Sequence, residues 1–138
     1  MKGLDTNVLV RLLTQDDRVQ GPAAEAYVRR ACTRDSPCFI NRVVLVELVW
    51  VLESFYGYPR AAVGDAVERI LRTGEFKVED TDVARAALVA YRRAGADFAD
   101  AMIGRGNRAQ GCAATATFDR KAAAMEDFEL ATGGGRGA

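Results

Sequence analysis

The sequence predicts an α/β fold in which a parallel β-sheet is covered by helices on both faces. Short runs rich in β-branched and aromatic residues alternate with longer helical segments, and glycine or proline stands at most of the junctions. Strand followed by helix, repeated along a chain, is the order that gives a parallel sheet. The 138 residues are 49% apolar and 28% charged, as expected of one globular domain that needs neither disulfides nor a structural metal. We expect this domain over residues 1–132, followed by a flexible glycine-rich tail over residues 133–138.

The first half of the chain is predicted to hold two short strands, each followed by a pair of helices. Asp5 can cap the first helix, proline at residue 22 starts the second, and Asn41 can cap the third. The third helix is apolar nearly all round, so it is expected to be buried. The strands are predicted at residues 2–5 and 36–40, and the helices at about residues 8–13, 21–31, 42–56 and 59–74.

The second half continues the alternation with shorter elements. Asp80 can cap one helix and Asp97 the next, and glycines at residues 95 and 111 end them. Strands are predicted at residues 76–78, 113–117 and 128–130, and helices at about residues 81–94, 98–110 and 120–125.

The charge balance and the absence of histidine limit the kinds of binding and catalysis that the chain can support. The chain has 19 Lys and Arg against 19 Asp and Glu, with a pI near 6.3, so no global field draws it onto nucleic acid, although a local basic patch remains open. It has no histidine, which excludes Ser-His-Asp and Cys-His catalysis, histidine-based ribonuclease chemistry and zinc sites built on imidazole. Acidic side chains must therefore carry any catalysis.

The cysteines and the hydropathy indicate a cytoplasmic protein. Cys32, Cys38 and Cys112 are odd in number and lack a CxxC spacing, so they are interpreted as buried thiols in a reducing cytosol. Glu47 interrupts the most apolar stretch well short of the roughly 18 residues that a membrane span requires, and no membrane association is expected.

Acidic residues fall where a parallel sheet would gather them. Asp5 ends the first predicted strand and Asp119 the fourth, and ligands of open parallel sheets bind beyond the carboxyl ends of strands. Helix capping is the alternative role for Asp5. Glu47 lies in an apolar helix, where a buried unpaired carboxylate would cost several kcal/mol. An arginine, a metal ion or a position at the rim of the crevice would each resolve this.

Asp97 and Asp100 begin one helix with the spacing of a capping box, in which Asp97 caps and Asp100 occupies the third position. Residues three apart also share one side of a helix, so Asp100 could face the crevice while Asp97 supports it. Asp5, Glu47, Asp100 and Asp119 together make an oxygen-only site of the kind that Mg²⁺ or Mn²⁺ prefers. One or two such ions could activate a water for in-line phosphodiester displacement.

Four motifs in this order resemble PIN-domain ribonucleases, specifically the VapC-type toxins of bacterial toxin–antitoxin systems. The motifs are Gly3-Leu4-Asp5-Thr6-Asn7-Val8-Leu9-Val10, Val46-Glu47-Leu48, Asp97-Phe98-Ala99-Asp100-Ala101-Met102-Ile103 and Thr117-Phe118-Asp119-Arg120-Lys121. The resemblance covers residues 2 to about 130. It implies a three-layer α/β/α sandwich with a central five-stranded parallel sheet, a homodimer, Mg²⁺- or Mn²⁺-dependent RNA hydrolysis, and silencing by a cognate antitoxin.

The resemblance also assigns roles to residues. It places Asp5, Glu47, Asp100 and Asp119 on the family's acidic quartet, which would hold the metal and carry catalysis. Thr6 and Asn7 fit the opening motif as accessory residues, and Asp97 is a less secure accessory match.

Two further sets of residues are candidates for contact with RNA and with partners. Arginines near the acids could hold the RNA backbone, namely Arg11, Arg42, Arg105, Arg108 and Arg120. Trp50, Phe55, Tyr56 and Tyr58 cluster near one helix end and could line a protein contact surface, or belong to the core.

Two other functions remain open from the residues alone. The chain could be a PIN-like module that binds RNA or protein without catalysis, which a cleavage assay with and without EDTA would separate. A magnesium-dependent phosphatase would also begin with an acid at a strand end, but Asn7 stands where that chemistry needs a second acid.

Overall fold

Helices and short strands alternate along the chain in the order that the sequence predicts. The computed structural model describes residues 1–132, so the predicted tail over residues 133–138 lies outside the described part. The helices are α1 (Thr6–Thr14), α2 (Gln20–Ala31), α3 (Arg42–Trp50), α4 (Arg60–Arg72), α5 (Thr81–Arg93), α6 (Phe98–Ala109) and α7 (Arg120–Ala123). The strands are β1 (Cys38–Ile40), β2 (Phe76–Val78), β3 (Thr115–Thr117) and β4 (Phe128–Leu130).

The contacts divide the chain into two compact units, Met1–Ala84 and a second beginning at Arg85, with the boundary inside α5. In the first unit β1 pairs in parallel with β2, and Phe39 lies opposite Lys77. Gly3 forms a parallel bridge with Phe39, and the Phe39 N–H donates to the Lys2 carbonyl at 2.7 Å. Residues 2–4 therefore run beside β1 as the predicted first strand.

In the second unit β3 pairs in parallel with β4, with Thr115 opposite Phe128 and Thr117 opposite Leu130. Helix α6 packs on β3, and α7 packs on both strands. The parallel pairs and the covering helices confirm the α/β class. A single five-stranded sheet stays a prediction, because the strand pairing joins strands only within each unit.

Three helices begin at caps that the sequence predicts, Asp5, Asn41 and Asp97, and a fourth begins at Asp119, which the sequence analysis placed only at a strand end. The carboxylate of Asp5 accepts from the Thr6 N–H at 2.8 Å, and that of Asp97 accepts from the Asp100 N–H at 2.9 Å. The Asn41 amide oxygen accepts from the Val44 N–H at 2.9 Å, and Asp119 caps α7 through the Lys121 N–H at 2.8 Å. Each cap satisfies a backbone donor that the first turn of a helix leaves without a partner.

The prediction that the third helix is buried all round was wrong. Leu45 and Leu48 are fully buried, but Val43 is 70% and Trp50 63% exposed. A helix that packs on one side buries only one stripe of its surface, whatever the composition of the other side. The helix also changes at Val51–Phe55 into a π-helical turn, whose last bond runs from the Tyr56 N–H to the Val51 carbonyl at 3.1 Å.

The interpretation of the cysteines as buried thiols was also wrong. Cys32 and Cys38 form a disulfide between the end of α2 and the start of β1, with their Cα atoms 5.0 Å apart. Cys112 is a free thiol, but it is exposed. The chain turns back between residues 32 and 38, and this tertiary turn brings the two sulfurs together although the spacing is not a CxxC.

Buried apolar side chains occur in both units. In the first unit Leu9, Ile40 and Leu52 are fully buried, and in the second Tyr91 packs edge-on against Phe98 with the ring centroids 5.9 Å apart. Gly104 of α6 lies close against Phe128 of β4. A Cβ at position 104 would stand 2.6 Å from the Phe128 ring, so a larger residue would not fit without a shift. Over residues 1–132, none of the helices combines the length and the apolar character needed to cross a membrane.

Candidate active site

In the first unit, Thr6 connects the two predicted acidic residues. Asp5 and Glu47 are both exposed, whereas Thr6 between them is only 5% exposed. The Thr6 hydroxyl donates to Glu47 Oε1 at 2.5 Å, and the Thr6 N–H donates to Asp5 Oδ1 at 2.8 Å. One buried residue therefore fixes an oxygen of each carboxylate and leaves the other oxygen of each unbonded within residues 1–132.

This geometry resolves the position of Glu47. The helix does not bury its carboxylate, since Glu47 lies on the exposed side of α3 with Val43 and Trp50. Among residues 1–132, the Glu47 carboxylate accepts a hydrogen bond from the Thr6 hydroxyl and forms no ion pair with an arginine. The sequence identified the anomaly correctly, and a rim position is the arrangement found.

In the second unit, the charges of Asp97 and Asp119 act on Asp100. Partial burial raises the pKa of Asp100, and the negative charges of Asp97 and Asp119 raise it further. Asp97 and Asp119 are held by their capping bonds, whereas the Asp100 carboxylate accepts no hydrogen bond within the described residues. A cation near Asp100 would relieve this repulsion.

The donor set suits a hard divalent cation. Asp5, Glu47 and Asp119 each use one oxygen in a hydrogen bond, so each keeps a second oxygen available. Carboxylate oxygens without nitrogen or sulfur donors are the ligands that Mg²⁺ and Mn²⁺ prefer. In the described part of the chain, no three acidic or cysteine side chains stand close enough together to hold a metal ion. The structure therefore gives two groups of acids, one in each unit.

The other predicted accessory residues differ in what they contact. Asp97 caps α6, as the capping-box pattern predicts. Asn7 is exposed in the first turn of α1, and its side chain makes no hydrogen bond to any residue from 1 to 132.

Four of the five predicted RNA-binding arginines are engaged in ion pairs. Arg11 pairs with Asp16 at 3.3 Å and also donates to Tyr56 and Gln20. Arg42 pairs with Asp80 and with Glu79. Only Arg120, beside Asp119, is exposed and has no acidic partner among residues 1–132.

Arg105 and Arg108 reveal an acid that the sequence analysis missed. Asp127 is 5% exposed, and its two carboxylate oxygens pair with Arg105 at 3.2 Å and with Arg108 at 3.0 Å. Two cations on one side of α6 thus stabilise a buried carboxylate before β4. The spacing of Arg105 and Arg108, one helical turn apart, was the available signal.

The aromatic residues divide into exposed and half-buried members. Trp50 is 63% and Phe55 79% exposed, so neither belongs to the core, whereas Tyr56 and Tyr58 are half-buried. The rings of Phe55 and Tyr56 meet edge-on at 5.3 Å, and those of Tyr56 and Tyr58 at 5.7 Å.

Comparison with known proteins gives a consistent result. Residues 3–127 match the family model described as PIN domain. A VapC ribonuclease of Aquifex aeolicus (strain VF5) is 28% identical over 122 residues, which cover 88% of this chain and 89% of the relative. No solved structure gives a significant match. The matched segment includes all of the predicted acidic residues.

Proposed function

The chain belongs to the PIN domain family, and from this premise we propose that it is a metal-dependent endoribonuclease of the VapC toxin type. The observation that carries the proposal is the pair of acid groups that the fold builds without histidine: Asp5 and Glu47 in one unit, and Asp100 and Asp119 in the other. The similarity to a VapC ribonuclease over most of both chains supports it.

The proposed site consists of Asp5, Glu47, Asp100 and Asp119, which would hold one or two Mg²⁺ or Mn²⁺ ions. When bound, such an ion activates a water and stabilises the oxygens of an in-line phosphodiester displacement. Thr6 orients Glu47, and the capping bonds of Asp5 and Asp119 fix their carboxylates before any ligand arrives. The sequence offers no histidine to protonate or deprotonate the RNA, so we expect products with a 5′-phosphate and a 3′-hydroxyl. A 2′,3′-cyclic phosphate would contradict this.

The proposal has consequences for assembly. It includes the five-stranded parallel sheet as the scaffold on which the acids of both units would serve one reaction. It also includes a cytoplasmic homodimer and a cognate antitoxin, since an unrestrained ribonuclease would harm its own cell.

A cleavage assay tests the activity. Purified chain with Mg²⁺ or Mn²⁺ should cut RNA, and EDTA should stop it. Asp5→Asn and Asp100→Asn should each lose about 100-fold in rate, because each replaces a charged carboxylate at the proposed metal site with a neutral amide. Asp35→Asn, which changes an exposed acid in the loop before β1, is the matched control and should cleave at the rate of the unsubstituted chain.

Stability separates a catalytic loss from a folding defect. Neutralising Asp100 removes the cost of partly burying its charge and the repulsion by Asp97 and Asp119, which together raise its pKa. The metal-free Asp100→Asn chain should therefore be as stable as the unsubstituted chain or more so. A large loss of thermal stability would instead make helix capping the main role of this region. If the unsubstituted chain does not cleave RNA, or if all four proteins show the same cleavage, the acids do not carry catalysis and the chain would be a PIN-like binding module.

Expression in a bacterial host tests the toxin role. The unsubstituted chain should arrest growth and Asp5→Ala should not. Equal, harmless expression of both would contradict the toxin proposal, even if purified protein cleaves RNA.

A further inference from the structure

The second unit contains a cavity that adjoins the proposed catalytic acids. Its volume is about 480 Å³, within the range of small-molecule sites, and it is lined by α5, α6, α7 and the segments that follow them. Asp97 and Asp100 form part of its lining. Much of the remaining wall is alanine, at Ala86, Ala90, Ala94, Ala101, Ala122 and Ala124. These short side chains leave room for a flat group to approach the helices closely.

The cavity also carries positive charge that the protein does not use. Arg93 and Lys121 line it, both are exposed, and neither pairs with an acid among residues 1–132. Arg105, Glu126 and Asp127 line it too, and Arg105 forms ion pairs with both of these acids. Arg93 and Lys121 are therefore available to an anionic ligand.

A nucleotide has the two properties that this lining would recognise. Its base is a flat ring with largely apolar faces, and its phosphate is a charged acceptor for arginine and lysine. We propose that the cavity binds one nucleotide of the RNA chain next to the bond that is cut, with the base among the alanines and a phosphate at Arg93 and Lys121. The inference rests on the proposed function, because Asp100 belongs both to the lining of the cavity and to the proposed catalytic site.

Binding can be measured without cleavage. A fluorescently labelled single-stranded oligoribonucleotide is titrated with Asp5→Asn chain in Mg²⁺, and fluorescence anisotropy gives the Kd. Two further variants are made in the Asp5→Asn chain. Ala90→Trp fills the cavity, and the double change Arg93→Gln with Lys121→Gln removes its two cations.

The matched controls make the same substitutions outside the cavity. Ala109→Trp changes an exposed alanine at the end of α6, and Arg18→Gln with Lys77→Gln removes two exposed cations that have no acidic partner in residues 1–132. Thermal melts of every variant are compared, so that a loss of binding is not mistaken for a loss of folding.

We expect Ala90→Trp to weaken RNA binding by about tenfold, because it removes the contacts of one base. The double cation change should flatten the slope of log Kd against log salt by about 0.7, the value for one phosphate contact on a single strand. In the active chain, Ala90→Trp should also change the base preferred beside the cut, as determined by sequencing the cleaved ends.

The inference is overturned if the cavity variants bind RNA like their controls, or if Ala90→Trp alters only the oligomeric state. If Ala90→Trp fails to fold, the cation pair and its salt dependence decide alone. The two proposals fail in different ways. Cleavage with cavity variants that match their controls refutes the nucleotide site, whereas cavity-dependent binding without cleavage by the unsubstituted chain refutes the ribonuclease.

Discussion

Thr6 shows how one buried hydroxyl can organise two exposed acids. Its backbone N–H donates to Asp5 and its hydroxyl donates to Glu47, and these two acids are 42 residues apart in the sequence. A hydrogen bond to a charged acceptor contributes about 1.5–3 kcal/mol and defines the direction of the carboxylate. Thr6 is therefore a positioning residue for Glu47.

Thr6→Val should keep the volume and lose the hydroxyl. We expect cleavage to fall by about tenfold, because residues that orient metal ligands have effects of this size. Thr6→Ser should restore most of the rate, whereas a purely structural role would make the rate follow the melting temperature of each variant. The readout is kcat and KM over a range of Mn²⁺ concentrations, where the loss in Thr6→Val should diminish as Mn²⁺ increases.

The contribution of Asp16 to stability depends on pH. Hydrogen bonds from the hydroxyls of Thr14, at 2.7 Å, and of Tyr56, at 2.9 Å, lower the pKa of Asp16. The stability that this carboxylate contributes is present above its unfolded pKa, about 3.9, and is lost as the pH falls through the lower folded value.

Asp16→Asn should thus lower the melting temperature at pH 7 and have little effect at pH 2. Tyr56→Phe should shift the melting temperature with the same pH dependence, since it removes one of the two hydroxyl hydrogen bonds to Asp16. The measurement is a series of thermal melts from pH 2 to pH 7, with Asp35→Asn as the control. A difference that is constant over the whole series would rule out the ionised carboxylate as the cause.

At the scale of elements, the disulfide joins the end of α2 to the start of β1. Cys32 and Cys38 are 6 residues apart and buried, and β1 pairs with both β2 and residues 2–4. The bond therefore limits the freedom of the loop that leads into the central strand of the first unit.

Cys32→Ala with Cys38→Ala should lower the free energy of unfolding by about 2 kcal/mol, the loop-entropy value for so short a loop. Urea titration measures it, with and without a dithiol reductant. The reductant should destabilise the unsubstituted chain and leave the double variant unchanged. Cys112→Ala, at the exposed free thiol, should match the unsubstituted chain under both conditions, and an equal effect of Cys112→Ala would contradict the prediction.

At the scale of the whole molecule, the proposed metal site needs acids from both units. An ion that binds only the folded state raises stability, by about 2.7 kcal/mol at one hundred times its Kd. The dependence of melting temperature on Mn²⁺ therefore reports whether the two acid groups bind the same ion.

We expect Mn²⁺ to raise the melting temperature of the unsubstituted chain and of Asp35→Asn. Asp5→Asn, in the first unit, and Asp119→Asn, in the second, should each lose most of this increase. If each variant kept about half of it, the two units would bind metal independently, and the shared site would be refuted.

The sequence by itself determined the order of elements, three of the helix caps and the acidic residues that we propose as the site. Caps and turns depend on side chains within a few positions of one another, so Asp5, Asn41 and Asp97 could be interpreted locally. Only the tertiary structure decided the Thr6–Glu47 bond, the disulfide, the burial of Asp127 with its two arginines, and which side of α3 is exposed. The physical reason is that packing, not composition, determines which side of an apolar helix meets the core and which side chains share a partner far away in the chain.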